Sequence, residues 1–323
     1  MTVIVPARDA ADTLPACLAA LAAQSIIDES FEVIVVDDGS SDGTPELAER
    51  SALAPRVMRL AGGAGPGAAR AAGAAQARGD VLAFTDADCE PAPGWLAAGL
   101  AALRDADLVQ GRTLPPPGAR VGPWDRHLAV TAAWGLYESA NLFVRRDLYE
   151  RIGGFGSGIA GPPEAFRLGR RSGSTRPKHL GEDVIFGWTA RRAGARTAFC
   201  DDALVYHAVF PRRAAEYLAE RRRVRHFPAL ARAVPELRDV FFWRRWFLSR
   251  RSAAFDAAAA GMIVAALARS PLPLAAALPY GAELARDLRQ WRNPRVPVVR
   301  LAADAVQFAG LVRGSISART PVL

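Results

Sequence analysis

Lysine is almost absent from this chain. Lys178 is the only one among 41 basic residues in 323, and all the others are arginine. That excludes a P-loop, whose glycine-rich turn must be followed by a lysine. Cysteine is scarce too. Cys17, Cys89 and Cys200 are odd in number and lack CxxC spacing, which argues against a disulfide framework or a zinc site and makes a reducing cytosol the default. No basic n-region with an apolar h-region opens the chain, so no secretory signal is expected. Long uncharged apolar runs are missing as well. Within Ala253–Tyr280 the longest charge-free stretch, Ala257–Ala268, has twelve residues, short of the ~20 that a spanning helix needs. No nucleic-acid motif accompanies the positive charge, so nucleic acid is not an expected partner.

What is present points to a globular chain. Half of the residues are hydrophobic, enough for a sizeable core in one large domain, or in one domain plus an appendage. The net charge is +8, with arginine concentrated in the second half. Such a patch suits phosphates or anionic lipid.

The first ninety residues alternate strand and helix patterns. Val3–Val5, Phe31–Val36, Arg56–Leu60 and Val81–Thr85 read as strands. Asp12–Gln24, Pro45–Arg50 and Gly67–Arg78 read as helices. Continuous apolar strands separated by helices predict an α/β fold with a doubly wound, mainly parallel sheet. Ligands bind such sheets beyond the carboxyl ends of the strands, where residues 6–9, 37–42 and 86–88 fall. Further helices are expected over Pro91–Leu103, Asp147–Ile152 and Gly181–Ala193. Further strands are expected over Ala106–Gly111, Ala140–Arg145 and Thr197–Tyr206. Ser157–Leu180 reads as a long basic loop. Beyond Pro211 no strand pattern is evident. Residues 212–251 carry twelve arginines against four acids, interleaved with Trp and Phe, and Leu301–Val312 reads as an amphipathic helix.

Several motifs carry chemistry. Gly79–Asp88 runs an apolar strand into Asp86 and Asp88. On an extended backbone, residues two apart share a face, so both carboxylates could meet one hard cation. The bland alternative is a solvated turn. The glycine run Gly62–Gly67 does not fit G-x-G-x-x-G, which argues against dinucleotide binding; it reads as a flexible turn that lets backbone approach a phosphate. Glu182 and Asp183 open a helix, where acids favour the dipole and where one could serve as a general base. His207 taken alone is an ordinary structural histidine.

Five segments, in order, resemble family 2 glycosyltransferases of the GT-A fold: Val3–Asp9, Val35–Thr44, Gly67–Gly73 through Asp86–Asp88, Ser139–Arg146 with Gly153–Phe155, and Gly181–Asp183 with Val205–His207. The resemblance covers residues 1–210 as a catalytic domain and leaves 211–323 as a basic, partly amphipathic helical extension. It implies that Pro6, Ala7, Arg8 and Asp9 border the nucleotide, that Asp38 holds the base or ribose, and that Arg70 faces the base or diphosphate. Asp86 and Ala87 would line the nucleotide-sugar. Asp88 and Asp86, with His207, would bind the metal. Asp183 would be the catalytic base, with Asn141 and Glu182 on the acceptor side. One departure is Arg70–Ala71, where many members have Arg-Asn; another is the insert 157–180, whose arginines and Lys178 could close over the diphosphate or meet an anionic acceptor.

The reaction so implied is inverting transfer of a sugar from a nucleotide-diphosphate sugar to a hydroxyl, with Mg²⁺ or Mn²⁺ as cofactor. The acceptor would be a lipid-linked or cell-envelope glycan. The Trp/Arg tail would hold the enzyme peripherally on the cytoplasmic face of the membrane. Packing on the catalytic domain and homo-oligomerisation remain alternatives for that tail. Two other readings are a nucleotidyltransferase on a similar fold and a non-catalytic membrane-recruited scaffold. The intact acidic set opposes the scaffold, and the lack of an N-terminal glycine-rich phosphate loop with Arg and Lys opposes the nucleotidyltransferase.

Overall fold

The computed structural model describes residues 1–24, 26, 30–155 and 181–323. The whole insert 157–180, including Lys178, lies outside them. The chain forms two compact units, residues 1–120 with 127–209, and residues 121–126 with 210–323.

Among the described residues the first unit is built on eight strands, β1 (Thr2–Ala7), β2 (Glu32–Asp37), β3 (Arg56–Arg59), β4 (Val81–Thr85), β5 (Cys89–Pro91), β6 (Leu108–Leu114), β7 (Asn141–Arg145) and β8 (Thr197–His207). They lie in the order β3-β2-β1-β4-β7-β6-β8-β5. The expected parallel half is present, since β3, β2, β1 and β4 all run parallel. The other half is mixed: β7 is antiparallel to β4 and β6, β6 is parallel to β8, and β5 is antiparallel to β8. The sheet is mainly parallel, as expected, and its antiparallel pairings have a local cause. β6, β7 and β8 carry no regular crossover helix between every pair, so a strand can return beside its neighbour. β5 was not expected. Its last residue, Pro91, was expected to open a helix, which begins instead at Trp95.

Among the described residues, six helices cover the sheet or lead out of it: α1 (Leu14–Ala22), α2 (Thr44–Glu49), α3 (Pro66–Ala74), α4 (Trp95–Ala102), α5 (Arg146–Arg151) and α6 (Glu182–Arg192). α1 buries Leu14, Cys17, Leu18 and Leu21, a 3.6-residue stripe. They join Val3, Val5, Val33, Val35, Trp95 and Phe143 in one core cluster, each large side chain contributing about 1.5–3 kcal/mol by burial. α3 comes unusually close to the sheet. A Cβ on Gly73 would stand 2.7 Å from Ile4 Cγ2, so only glycine admits that approach.

The second unit is helical: α7 (Ala214–Arg221), α8 (Phe227–Ala233), α9 (Leu237–Val240), α10 (Arg250–Ala268), α11 (Leu278–Trp291) and α12 (Arg295–Ala318), with 3₁₀ turns at Arg222–His226 and Leu272–Ala277. Ser249 caps α10 by accepting the Ser252 N–H at 3.1 Å. α10 is long and apolar enough, by length and composition, to cross a membrane. Counting only charge-free residues missed this, because the helix extends back past Asp256 to Arg250. Residues 241–249 are not helical. Trp243 and Phe247 close a turn by donating to each other's carbonyls, at 2.8 and 3.1 Å, and Arg244 and Arg245 adopt positive φ.

Candidate active site

The loops after β1, β2 and β4 gather at one edge of the sheet, because these parallel strands all end there. Pro6 and Ala7 finish β1, and Ala7 pairs in register with Asp37. The acids of the next turn are largely committed to backbone. Asp37 accepts the N–H groups of Gly39 and Ser40. Asp9 accepts the Ser41 N–H at 2.9 Å. Asp38 accepts from Ala64 and Gly65, both at 2.8 Å, and lies 3.6 Å from an Arg8 nitrogen. Asp38 therefore fastens the glycine run to the β2 turn. Gly39 and Gly62 both have positive φ, and a Cβ on Gly39 would stand 2.6 Å from Gly62 Cα.

The glycine run was expected to leave its amides for a phosphate. Its Ala64 and Gly65 N–H groups go to Asp38, and the Gly67 N–H goes to the Glu182 carboxylate. A Cβ on Gly67 would lie 2.2 Å from Glu182 Oε2, so the glycine makes room for that carboxylate at the start of α3.

Arg70, one turn into α3, is 4 % exposed. Its guanidinium hydrogen-bonds Asp86, stands 3.5 Å from Glu182, and lies 5.9 Å from the Phe155 ring centre. Burial alone would lower its pKa, but Asp86, Glu182 and Asp183 together hold it up. One buried cation thus joins the β4 turn to the start of α6.

Asp86 and Asp88 do not sit on an extended backbone. The Cys89 N–H donates to Asp86 O at 3.1 Å, closing a turn that sends the two side chains different ways. Asp86 turns to Arg70. Asp88 lies at the end of β8, where its Oδ1 is 3.5 Å from His207 Nε2. His207 Nδ1 donates to Ala208 O at 2.7 Å, which fixes the ring with Nε2 toward Asp88. An oxygen and a ring nitrogen facing each other at that distance fit a divalent cation. Asp86 faces elsewhere.

Glu182 and Asp183 both stand in the first turn of α6. Burial pushes Glu182 up to about 7, against the pull of Arg70, and Asp183 and Asp86 add to the rise. Asp183 is also raised by burial, against Arg70 and the N–H groups of Val184 and Ser139. Beside it lies a carboxylate that the sequence did not single out. Burial, aided by the charge of Asp183, raises Glu138 to about 7. The loop carrying Glu138 is pinned to α6: Trp188 Nε1 donates to Gly135 O at 2.8 Å, and Tyr137 packs edge-on to the Trp188 ring. No local pattern marks an irregular loop of this kind.

Asn141 is fully buried. Its amide donates to Arg112 O and Ala203 O, at 2.8 and 2.7 Å, and accepts from Trp95 Nε1 at 2.8 Å. It ties β6, β7 and β8 together, and its side chain has no exposed surface.

Comparison with known proteins completes the description. The family model "Glycosyl transferase family 2" matches residues 2–172. Glycosyltransferase AglE of Haloferax volcanii is 30% identical over 226 residues, covering 65% of this chain and 67% of that protein. Undecaprenyl-phosphate 4-deoxy-4-formamido-L-arabinose transferase of Aeromonas hydrophila is 36% identical over 99 residues; the match spans 29% of this chain and under a third, 30%, of that protein. Among solved structures, the mannosyltransferase PcManGT of Pyrobaculum calidifontis, in complex with GDP-Man and Mn²⁺, superposes with a TM-score of 0.63 at 25% identity, over 95% of this chain and 86% of that one.

Proposed function

The chain belongs to glycosyl transferase family 2 and has the GT-A fold, and on that premise we propose that it is an inverting, metal-dependent transferase. It moves a sugar from a nucleotide-diphosphate sugar to a hydroxyl of a lipid-linked or cell-envelope glycan. The observation that carries this reading is Arg70: a single buried guanidinium bonded to Asp86 and 3.5 Å from Glu182. It ties the strand-end turn that would face the donor to the helix start that would carry the base.

The placements support the following roles. Pro6, Ala7, Arg8 and Asp9 border the nucleotide, on a wall that Asp38 stiffens by holding Ala64 and Gly65. Asp86 and Ala87 line the donor, with Asp86 oriented by Arg70. Asp88 and His207 would hold Mg²⁺ or Mn²⁺. When bound, such a cation supplies positive charge to a leaving diphosphate. Asp183 takes the acceptor's proton; burial raises its basicity above that of an exposed aspartate, as a general base requires. Glu182 positions Arg70, and Asn141 positions β7; both stand on the acceptor side as supports. A structural neighbour solved with GDP-Man and Mn²⁺ supports a nucleotide-sugar donor and a divalent cation. A relative named as an undecaprenyl-phosphate sugar transferase supports a lipid-linked acceptor.

The second unit supports a membrane location on the cytoplasmic face. Met262, Ile263 and Leu267 of α10 are exposed by 56%, 61% and 80%, followed by Leu272 at 82%. Arg250 is exposed at the start of the same helix, and a cation on a helix with an apolar surface suits an anionic bilayer.

The test is release of nucleoside diphosphate from a panel of GDP- and UDP-sugars, with metal, in the presence of membrane lipid extract. Acceptor-dependent release with one donor is expected. Synthesis of a nucleotide-sugar from NTP and sugar phosphate, with no transfer, would mean a nucleotidyltransferase.

A further inference from the structure

Cys89 was set aside in the sequence because no CxxC spacing accompanies it. Strand pairing brings it to the metal-binding corner by another route. β5 and β8 are antiparallel, with Cys89 directly opposite His207. Residues so paired put their side chains on the same face of the sheet. Asp88, immediately before β5, completes the group. Its Oδ1 lies 3.8 Å from Cys89 Sγ and 3.5 Å from His207 Nε2, and the three donor atoms lie within 4.8 Å of one another. Donors held ~2.0–2.3 Å from one tetrahedral cation stand about 3–4 Å apart, so a small closing movement suffices. His207 is already set, because Nδ1 is spent on Ala208 O and Nε2 faces the group. Cys89 is fully buried, His207 is 5% exposed, and the Asp88 side chain is 19% exposed. A cation would therefore enter past Asp88 and rest on the sulfur.

We propose that Cys89 is the third protein donor of this cation site, so that the site takes thiophilic divalent cations (Zn²⁺, Cd²⁺, Co²⁺) in preference to Mg²⁺. The proposal rests on the reading of Asp88 and His207 as cation ligands. Sulfur is a soft donor and a carboxylate a hard one, so one site can admit both classes, with the sulfur biasing the choice. When the sulfur–metal bond forms, the thiol proton passes to water, and no electron is transferred. The three donors come from a turn and two strands, which is why no spacing rule in the sequence could find them.

The experiment is titration of the full-length protein with Cd²⁺, followed by the ultraviolet cadmium–thiolate charge-transfer band, alongside Mn²⁺ binding followed by the electron spin resonance of free Mn²⁺. The wild type should develop the band, saturating at one Cd²⁺ per chain. Cys89→Ser and Cys89→Ala should lose it, with Cd²⁺ affinity falling about 10–100-fold, the usual scale for damage to a metal site, while Mn²⁺ binding changes far less. Cadmium-113 magnetic resonance on the wild type reads sulfur ligation directly and needs no variant to fold. Mn²⁺ binding without a thiolate band, or a band that survives in Cys89→Ala, overturns the sulfur donor and leaves the Asp88–His207 reading intact. A wild type that binds neither cation overturns both.

Discussion

Both units set an arginine between carboxylates, but they pair its charge differently. In the helical unit Arg251 lies 2.8 Å from Asp287 and 2.7 Å from Asp304. Arg300 adds a second cation at 2.5 Å from Asp287, and Tyr280 donates to Asp304 at 2.8 Å. Two cations pair with these two acids, and the group ties α10, α11 and α12 together, with the carboxyl of Asp256 raised by burial and by the charge of Asp304. In the sheet unit Arg70 alone faces Asp86, Glu182 and Asp183, with Glu138 beyond Asp183. A balanced cluster can satisfy its charges and serve as a joint. A cluster with surplus acid holds carboxylates away from their ordinary protonation, which is the condition a proton acceptor needs.

The sharpest way to break this comparison is Asp183→Asn. Turnover should fall by about 10²–10⁴, while donor binding by calorimetry and the melting temperature stay near wild type. Wild-type rates would remove Asp183 as the base. The reverse pattern is expected in the other cluster. Arg251→Leu leaves two buried acids short of a cation and should cost about 3–5 kcal/mol in urea denaturation; a loss under about 1 kcal/mol would mean that the helices do not depend on the joint. Gly67→Ala is a smaller probe. Its Cβ would meet Glu182, and displacing that side chain should cost about 1–3 kcal/mol and raise the donor KM through Arg70. An unchanged KM would separate Glu182 from donor positioning.

The smallest effect is a pH dependence. Glu138 rises from 4.5 unfolded to about 7 folded. The unfolded chain therefore releases this proton first, so stability falls as pH rises from 4.5 to about 7 and changes no further above that. Glu138→Gln removes the loss. Its gain in melting temperature should be larger at pH 8 than at pH 5, and an equal gain at both would show that burial does not disfavour the charged form.

Much of the sheet unit is legible along the chain. β1, β2, β3 and β4 were readable because each is a short apolar run ending in a turn, and their ends placed residues 6–9, 37–42 and 86–88 together by topology. β5 was not readable, since three residues around Pro91 have no periodicity. The side-chain directions of Asp86 and Asp88 were not readable either, because alternation applies only to extended backbone and a turn intervenes. In the helical unit the hydrophobic stretch is legible, but the start of α10 is not, because Asp256 reads as a break; its carboxyl is one that burial, with the charge of Asp304, raises to about 6.

The sequence by itself determined the family, the parallel half of the sheet and the acids at the strand ends, because these depend on local pattern and on segments met in order. Tertiary structure alone decided what each acid faces. Asp38 faces backbone amides, Asp86 faces Arg70, Asp88 faces His207 and Cys89, and Asp183 lies beside Glu138. Those partners are between 16 and 119 residues away or brought close only by a turn. A carboxylate's chemistry is set by burial and by the nearest charges, which a linear spacing does not specify.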